Sequence, residues 1–223
     1  MNIAIIVAAG SGLRFGAELP KQFRSLAGRP LLAHTFERFD LCPSIDEIVL
    51  VLSDDGRRRF ESLAISSSKP VTIVEGGPTR AASVMNGLAA VADDDAIVAI
   101  HDGARPLVSV SEITNVIDKA QETGAACLTA EITDTIKTVS GGEITGTLDR
   151  QRLRRALTPQ AFRAGLLRRA FAEYGTGDEV TDECFVVERL GHPVAFVEGS
   201  SRNIKVTRPE DIVIAEALIG FIE

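Results

Sequence analysis

Strand-length apolar runs alternate with helix-length segments through the first 130 residues, and this alternation limits the possible folds more than any other feature. The predicted strands cover 2–8, 46–52, 71–74, 96–100 and 125–130. The predicted helices cover 30–39, 54–64, 79–91 and 111–123. In the third helix Val84, Leu88 and Val91 recur at i, i+4 and i+7, which is the period of one helix face. Near-continuous apolar strands separated by helices indicate an α/β fold, with a mostly parallel sheet covered by helices on both faces.

The length of 223 residues fits a single domain over residues 1–223. We expect its last helix to begin at Thr207, because Thr207 and Glu210 form a capping-box pattern around Pro209. The core-facing stripe of that helix is predicted to be Ile212, Ala215, Leu218, Ile219 and Ile222.

A hairpin pattern interrupts the alternation in the middle of the chain. Residues 133–139 and 143–148 are rich in threonine and β-branched side chains, and Ser140-Gly141-Gly142 joins them. A lone two-stranded hairpin is marginally stable in water. We therefore expect a β-arm at about 132–150 that leans on other structure, and a second subunit is one possibility.

Seven arginines and no acidic residue follow the hairpin in the segment 150–169. One interpretation is the solvated face of a helix. The other is that some of these arginines face an anion.

Composition excludes several classes of protein. Charged residues make up 25% of the chain and hydrophobic residues 45%, which argues against disorder. A net charge of −7 disfavours a nucleic-acid partner. No apolar run is long enough to span a membrane, and the first residues lack the basic region of a signal peptide. Cys42, Cys127 and Cys184 are too few and too scattered for a disulfide framework or a zinc site, so we expect a cytoplasmic location.

A glycine-rich loop follows the first predicted strand. It reads Ala8-Ala9-Gly10-Ser11-Gly12-Leu13-Arg14-Phe15-Gly16, and Pro20-Lys21-Gln22 comes soon after. Glycines at the carboxyl end of a strand let backbone N–H groups approach an anion closely. The glycine spacing of dinucleotide-binding and P-loop motifs is missing, and two cations, Arg14 and Lys21, favour a triphosphate instead. The alternative is a tight turn with surface cations.

Further polar strings follow the later strands. Gly76-Gly77-Pro78-Thr79-Arg80 precedes a helix that carries Ser83, and alone it fits a turn with a Thr79 helix cap. Asp102, in His101-Asp102-Gly103-Ala104-Arg105-Pro106, is placed to hold a metal-bound ligand or a substrate hydroxyl. Its alternative role is an ion pair with Arg105. Thr181-Asp182-Glu183 fits a helix N-cap, and 203–207 reads as a short strand that contains Lys205.

Taken in order, these strings resemble the 2-C-methyl-D-erythritol 4-phosphate cytidylyltransferases. The resemblance also includes Asp134-Thr135-Ile136-Lys137, Asp149-Arg150 and Leu157-Thr158-Pro159-Gln160, and it spans nearly the whole chain. It implies a Rossmann-like nucleotidyltransferase fold and a homodimer in which β-arms exchange, with the arm at 132–150. The chain resembles the form without a fused cyclase domain. Pro78 departs from the pattern, because many members carry Asp there.

The resemblance also implies a role for individual residues. The residues implied to contact CTP are Ala8, Ala9, Gly10, Gly12, Gly77, Arg80 and Ser83. Those implied to be catalytic are Arg14 and Lys21, which would stabilise the transition state, and Arg150 and Lys205, which would position the substrate phosphate. Those implied to contact methylerythritol phosphate are Asp102, Arg105, Thr135, Thr158 and Thr181. The implied cofactor is Mg²⁺ bridging the phosphates, with Asp102 as its protein neighbour.

The implied reaction joins a phosphate monoester to the CMP part of CTP and releases pyrophosphate. The monoester is mostly dianionic at neutral pH, so positive charge and positioning matter more than a general base. A ribitol 5-phosphate cytidylyltransferase stays open as an alternative, because it would share most of these motifs. A non-catalytic nucleotide-binding protein is disfavoured by the four retained cations, and an NAD-dependent reductase by Gly16, which is out of register.

Overall fold

The computed structural model describes residues 1–10, 19–177 and 179–221. The strands within these residues are β1 (Asn2–Val7), β2 (Ser25–Leu26), β3 (Arg29–Pro30), β4 (Glu47–Leu52), β5 (Val71–Glu75), β6 (Ile97–Asp102), β7 (Ala125–Glu131), β8 (Lys137–Ser140), β9 (Glu143–Thr147), β10 (Arg154–Arg163) and β11 (Ala195–Glu198). The helices are α1 (Leu31–Asp40), α2 (Asp54–Ser62), α3 (Arg80–Ala89), α4 (Val110–Thr123), α5 (Ala164–Tyr174), α6 (Glu183–Arg189) and α7 (Pro209–Leu218).

Seven of these strands form one sheet in the order β11-β7-β10-β6-β1-β4-β5. All neighbouring pairs are parallel except those of β10, which runs antiparallel to both β6 and β7. Alternate side chains of β1 enter different cores: Ala4 and Ile6 pack on one face, and Ile3 and Ile5 on the other. The predicted α/β fold with both faces of the sheet covered is confirmed.

The five strands and four helices predicted for the first 130 residues are all present, with ends that differ by one or two residues. The helix-face interpretation of the arginine-rich segment 150–169 is wrong for half of its length, because β10 occupies Arg154–Arg163. This strand pairs on both sides, so its apolar residues are needed at the centre of the sheet.

Two predictions near the carboxyl end also need correction. Residues 203–207 form no strand; one backbone bond, from Val206 N to the Ala104 carbonyl at 2.8 Å, fixes the segment to the loop after β6. The last helix begins at Pro209 rather than Thr207. Its capping acid is Asp211 instead of Glu210, since Asp211 Oδ2 accepts hydrogen bonds from Thr207 N and Arg208 N. Of the predicted stripe, Ala215 is buried, and Ile212, Leu218 and Ile219 pack against the same cluster; Ile222 lies outside the described residues.

The predicted hairpin is present as the pair β8 and β9. Its cross-strand pair Val139 and Ile144 is 70% and 67% exposed, which is unusual for an apolar pair that faces each other across a ladder. We call residues 132–150 the arm.

All three cysteines are buried and free of disulfide bonds. Cys42 lies in the core on one face of the sheet, while Cys127 and Cys184 lie together in the core on the other. Hydrogen bonding with Cys127 and burial raise the pKa of the Cys184 thiol. None of the helices in the described ranges is long and apolar enough to cross a membrane.

Candidate active site

The loops after β1, β5 and β6 meet at the carboxyl end of the parallel strands. Two glycines make this approach possible: a Cβ on Gly76 would lie 2.1 Å from Ala9 Cβ, and one on Gly103 would lie 2.7 Å from Ala8 Cβ. The ladder also continues past the strands, since Ala8 N donates to Val51 O and Gly103 N to Val7 O, both at 2.9 Å. Ala8, Ala9 and Gly10, predicted to contact CTP, therefore lie at the meeting point of these loops.

Gln22 is hydrogen-bonded to the first residues of the glycine-rich loop. It is 2% exposed, and its Nε2 donates to the carbonyl of Ala8 at 2.7 Å and to that of Gly10 at 3.2 Å. Gln22 belongs to a short 3-10 turn, Lys21–Phe23, which begins with the half-buried Lys21. The predicted site residues Gly12 and Arg14 lie outside the described residues.

The segment before α3 is organised by two hydroxyl groups. Thr79 caps the helix, as its Oγ1 accepts from Ala82 N at 3.0 Å, and the predicted cap is confirmed. Ser83 Oγ accepts from Gly77 N and donates to the Thr79 carbonyl, both at 3.0 Å. Ser83 therefore holds Gly77 close to the start of the helix, and both residues belong to the predicted CTP set.

A cluster of charges surrounds Asp102 at the end of β6. Asp102 Oδ1 accepts from Arg80 Nε at 2.9 Å, and Oδ2 faces Lys205 Nζ at 2.8 Å and Arg105 Nε at 3.5 Å. The structure thus brings together four predicted site residues. Arg80 comes from the predicted CTP set, Lys205 from the catalytic set, and Asp102 and Arg105 from the set for methylerythritol phosphate. The alternative assigned to Asp102, an ion pair with Arg105, is present as one part of this larger cluster.

The environment keeps Asp102 ionised. Burial alone would raise the pKa of its carboxyl group, but Arg80, Lys205 and Arg105 outweigh burial and hold the pKa well below its ordinary value. Burial lowers the pKa of Arg105, although Asp102 opposes this.

Glu183, the first residue of α6, is the second carboxylate that contacts Arg80 in this cluster. It is 0% exposed, and its Oε1 and Oε2 accept from Arg80 Nη1 at 2.6 Å and Nη2 at 3.1 Å. Sequence reasoning interpreted Glu183 only as an acid near a helix cap and missed this contact. The cap itself is confirmed, with Asp182 Oδ1 accepting from Phe185 N at 2.9 Å.

Thr158 and His101 support the backbone of Asp102. Thr158 Oγ1 accepts from Asp102 N at 3.2 Å and lies 3.0 Å from His101 Nδ1, while His101 Nε2 lies 3.1 Å from the carbonyl of Arg105. A carbonyl only accepts, so Nε2 carries the proton and Nδ1 accepts from Thr158. This neutral imidazole is fully buried, and burial lowers its pKa to about 3.

Three predicted site residues are exposed and take no part in the hydrogen bonds and ion pairs of the Asp102 cluster. Thr135 and Arg150 are exposed residues of the arm, and Nη1 of Arg150 donates to the carbonyl of Thr133 at the base of the arm. Thr181 is exposed, directly before the cap of α6. For Arg80, the guanidinium faces two carboxylates, and a contact with CTP stays a prediction.

Among the described residues, no three His, Cys, Asp or Glu side chains form a metal-binding group. Mg²⁺ commonly binds one carboxylate together with substrate phosphates. Asp102 is the carboxylate available for that mode, but Arg80, Arg105 and Lys205 already offset its charge, so the substrate phosphates would have to supply most of the ligands of the ion.

Comparison with known proteins gives one consistent result. A family model described as 2-C-methyl-D-erythritol 4-phosphate cytidylyltransferase matches residues 2–220. A protein of that name from Desulforamulus reducens is 41% identical over 222 residues, which is 97% of this chain and 95% of the relative. A bifunctional enzyme IspD/IspF from Desulfotalea psychrophila is 43% identical, and the match covers 95% of this chain but 55% of that longer protein.

Solved structures agree. The 4-diphosphocytidyl-2C-methyl-D-erythritol synthase from Anaerococcus prevotii has a TM-score of 0.87 and 30% identity, covering 98% of this chain and 96% of that one. The 2-C-methyl-D-erythritol 4-phosphate cytidylyltransferase from Thermus thermophilus has a TM-score of 0.79 and 34% identity, covering 98% of both chains.

Proposed function

The chain belongs to the 2-C-methyl-D-erythritol 4-phosphate cytidylyltransferase family, and we propose that it transfers CMP from CTP to that sugar phosphate. The products are 4-diphosphocytidyl-2-C-methyl-D-erythritol and pyrophosphate, in isoprenoid biosynthesis. The proposal places the CTP base and ribose at Ala8, Ala9, Gly10 and the Gly77–Ser83 segment. It assigns the sugar phosphate to the Asp102 cluster.

The observation that carries this proposal is the convergence of Arg80, Arg105 and Lys205 on Asp102, beside the end of β1. Three cations against Asp102 and Glu183 leave this group of five with a net charge of +1. In an acidic protein of net charge −7, such a site attracts a phosphate monoester. Lys205, with a side chain 35% exposed, is the most exposed of the three cations and is proposed to meet the phosphate.

The chemistry of the cluster suits a nucleophile that is already ionised. The second pKa of a phosphate monoester is about 6, so the sugar phosphate needs no general base near neutral pH. His101 is too weakly basic for that role, because its pKa is about 3. What the reaction requires is positive charge where two polyanions meet, and Lys21, Arg14, Arg150 and Lys205 are proposed to supply it.

We include Mg²⁺ in the proposal as the cofactor. When bound, the ion would neutralise charge on the leaving pyrophosphate, with Asp102 as its nearest carboxylate. The residues of the chain would hold and align the two substrates.

We further propose that the arm joins two copies of the chain into a homodimer. The exposed pair Val139 and Ile144 supports this, since apolar side chains on a hairpin of this size need a partner surface. Free, buried cysteines support a reducing compartment such as the cytoplasm.

Pyrophosphate release tests the activity. We expect release from CTP with Mg²⁺ when 2-C-methyl-D-erythritol 4-phosphate is present, and much slower release with ribitol 5-phosphate. Faster turnover of ribitol 5-phosphate would move the assignment to the alternative polyol. Failure to turn over either substrate would remove the enzymatic interpretation.

A further inference from the structure

Glu183 is the most deeply buried acid among the described residues, with 0% of its surface exposed. Carboxylates are almost never fully buried unless they are paired, and its side chain pairs with one residue, Arg80. Apolar pairs of similar size often stabilise a core as well as or better than a buried ion pair. Stability alone is therefore a poor explanation for this pair.

Arg80 is shared between two carboxylates in a fixed geometry. Its two Nη atoms face Glu183, and its Nε donates to Asp102 Oδ1 at 2.9 Å. Because the guanidinium is planar and rigid, holding both Nη atoms also sets the direction of the Nε–H bond. The position of Glu183 thus sets the position of the Arg80 Nε–H group that donates to Asp102.

Glu183 is itself held by the sheet. Gln160, 1% exposed on the interior strand β10, accepts from Glu183 N and Cys184 N at 3.2 Å each through its Oε1. Its Nε2 donates to Asp182 Oδ2 at 2.9 Å. A continuous set of contacts therefore runs from β10 through Glu183 and Arg80 to Asp102.

We propose that Glu183 is a positioning residue for the transfer reaction: through Arg80 it orients the Asp102 carboxylate, and so the Lys205 ammonium that would meet the phosphate of the polyol. This inference rests on the proposed function. It assigns to Glu183 a role in substrate alignment beyond its place in the core.

Removing the charge of Glu183 changes the cluster in a defined way. The net charge of the five groups rises from +1 to +2, and the Nη atoms of Arg80 lose their carboxylate. The released guanidinium then turns toward Asp102, the remaining acid, and competes with Lys205 for Oδ2. Lys205 loses its fixed position although it is itself unchanged.

The first test compares Glu183→Gln with Glu188→Gln, a matched change at an exposed position of the same helix. For Glu183→Gln we expect kcat/KM for the polyol phosphate to fall by about 10²-fold, the size typical of a small misplacement of reacting groups. Glu188→Gln should behave as wild type. Unchanged kcat/KM in Glu183→Gln would overturn the proposal.

A second variant separates positioning from stability. Arg80→Met with Glu183→Leu replaces the ion pair by apolar side chains, and we expect a thermal midpoint at or above that of Glu183→Gln with activity that remains low. Recovery of wild-type kcat/KM together with the fold would show a structural role only and overturn the proposal.

A third measurement is independent of activity. The exchange of the Arg80 Nε proton with solvent, followed by nuclear magnetic resonance, should be slow in the wild type and in Glu188→Gln and faster in Glu183→Gln. Equal exchange in all three proteins overturns the proposal. If the wild type turns over neither polyol phosphate, the proposed function fails, and the exchange measurement still decides whether Glu183 holds the Arg80 guanidinium in place.

Discussion

At the scale of single residues, the site combines a carboxylate that stays charged with an imidazole that stays neutral. Asp102 is held ionised by three cations, whereas the adjacent His101 is buried without a carboxylate partner on its ring nitrogens. The sequence string that contains both residues made Asp102 a candidate, but it could not show which residues hydrogen-bond to the ring of His101. Its role depends on Thr158, which is 57 residues further along the chain.

The neutral state of His101 predicts how stability depends on pH. The pKa of histidine is about 6.5 when unfolded, while His101 has a pKa of about 3 when folded. The stabilising contribution is therefore complete above about pH 6.5 and is lost as the pH falls toward 3, with a slope of up to about 1.4 kcal/mol per pH unit. We expect the free energy of unfolding in urea to decrease between pH 6.5 and 5.

Substitution identifies the group responsible. His101→Gln should reduce the slope of this pH dependence, although its overall stability is lower. His34→Gln, at a half-buried histidine whose pKa is also lowered by burial, should remove a smaller part. A His101→Gln protein with the full wild-type slope would contradict the protonation argument.

At the scale of elements, sequence periodicity identified the structure where elements were long and regular. It identified the strands of the main sheet from β1 to β7 and the helices α1 to α4, but it missed β10, β11 and most of α5, and of α6 it predicted only the N-cap. Arginines at both ends of β10 hid its apolar centre, while α6 has seven residues and β11 four, too few for a period to show. The Arg80–Glu183 contact followed from none of these patterns, because 103 residues separate the two.

The close approach of two loops predicts the effect of one methyl group. Gly76→Ala would place a Cβ 2.1 Å from Ala9 Cβ, so one of the two loops must move. Overpacking of this kind costs about 1–3 kcal/mol, and because Ala9 is in the predicted CTP set we expect the dissociation constant of CTP to rise about tenfold or more. Calorimetric titration with CTP measures it.

Gly220→Ala provides the comparison for that experiment. A Cβ at Gly220 has no heavy atom within 4 Å, so this protein should bind CTP as the wild type does. If Gly76→Ala also kept wild-type affinity, the loops after β1 and β5 would not form the CTP site.

At the scale of the whole molecule, the described chain brings only part of the predicted site together. Asp102, Arg105 and Lys205 lie in one cluster, whereas Arg150 and Thr135 lie on the exposed arm. Exchange of arms between two subunits would bring the partner subunit's Arg150 to the cluster. Each active site would then contain residues of both chains.

Mixing of two inactive variants tests this arrangement. In a heterodimer of Lys21→Ala and Arg150→Ala chains with crossed arms, one site carries both lesions and the other carries none. After subunit exchange in an equal mixture, half of the dimers are mixed, so about a quarter of the wild-type activity should return. If both residues served their own subunit's site, every site would be damaged, and verified exchange without recovered activity would contradict the crossed arrangement.

The distribution of the three cysteines over the two cores has an experimental consequence. A buried thiol reacts with a labelling reagent only after the structure around it opens, so its rate of modification measures the free energy of that opening. Cys42 reports on the layer of α1 and α4, and Cys127 and Cys184 report on the opposite layer. The native protein thus has reactive thiols on each side of its sheet whose modification rates can be compared. The ratio of the rate at Cys42 to the rate at Cys127 and Cys184 tells whether the two layers open together or one at a time.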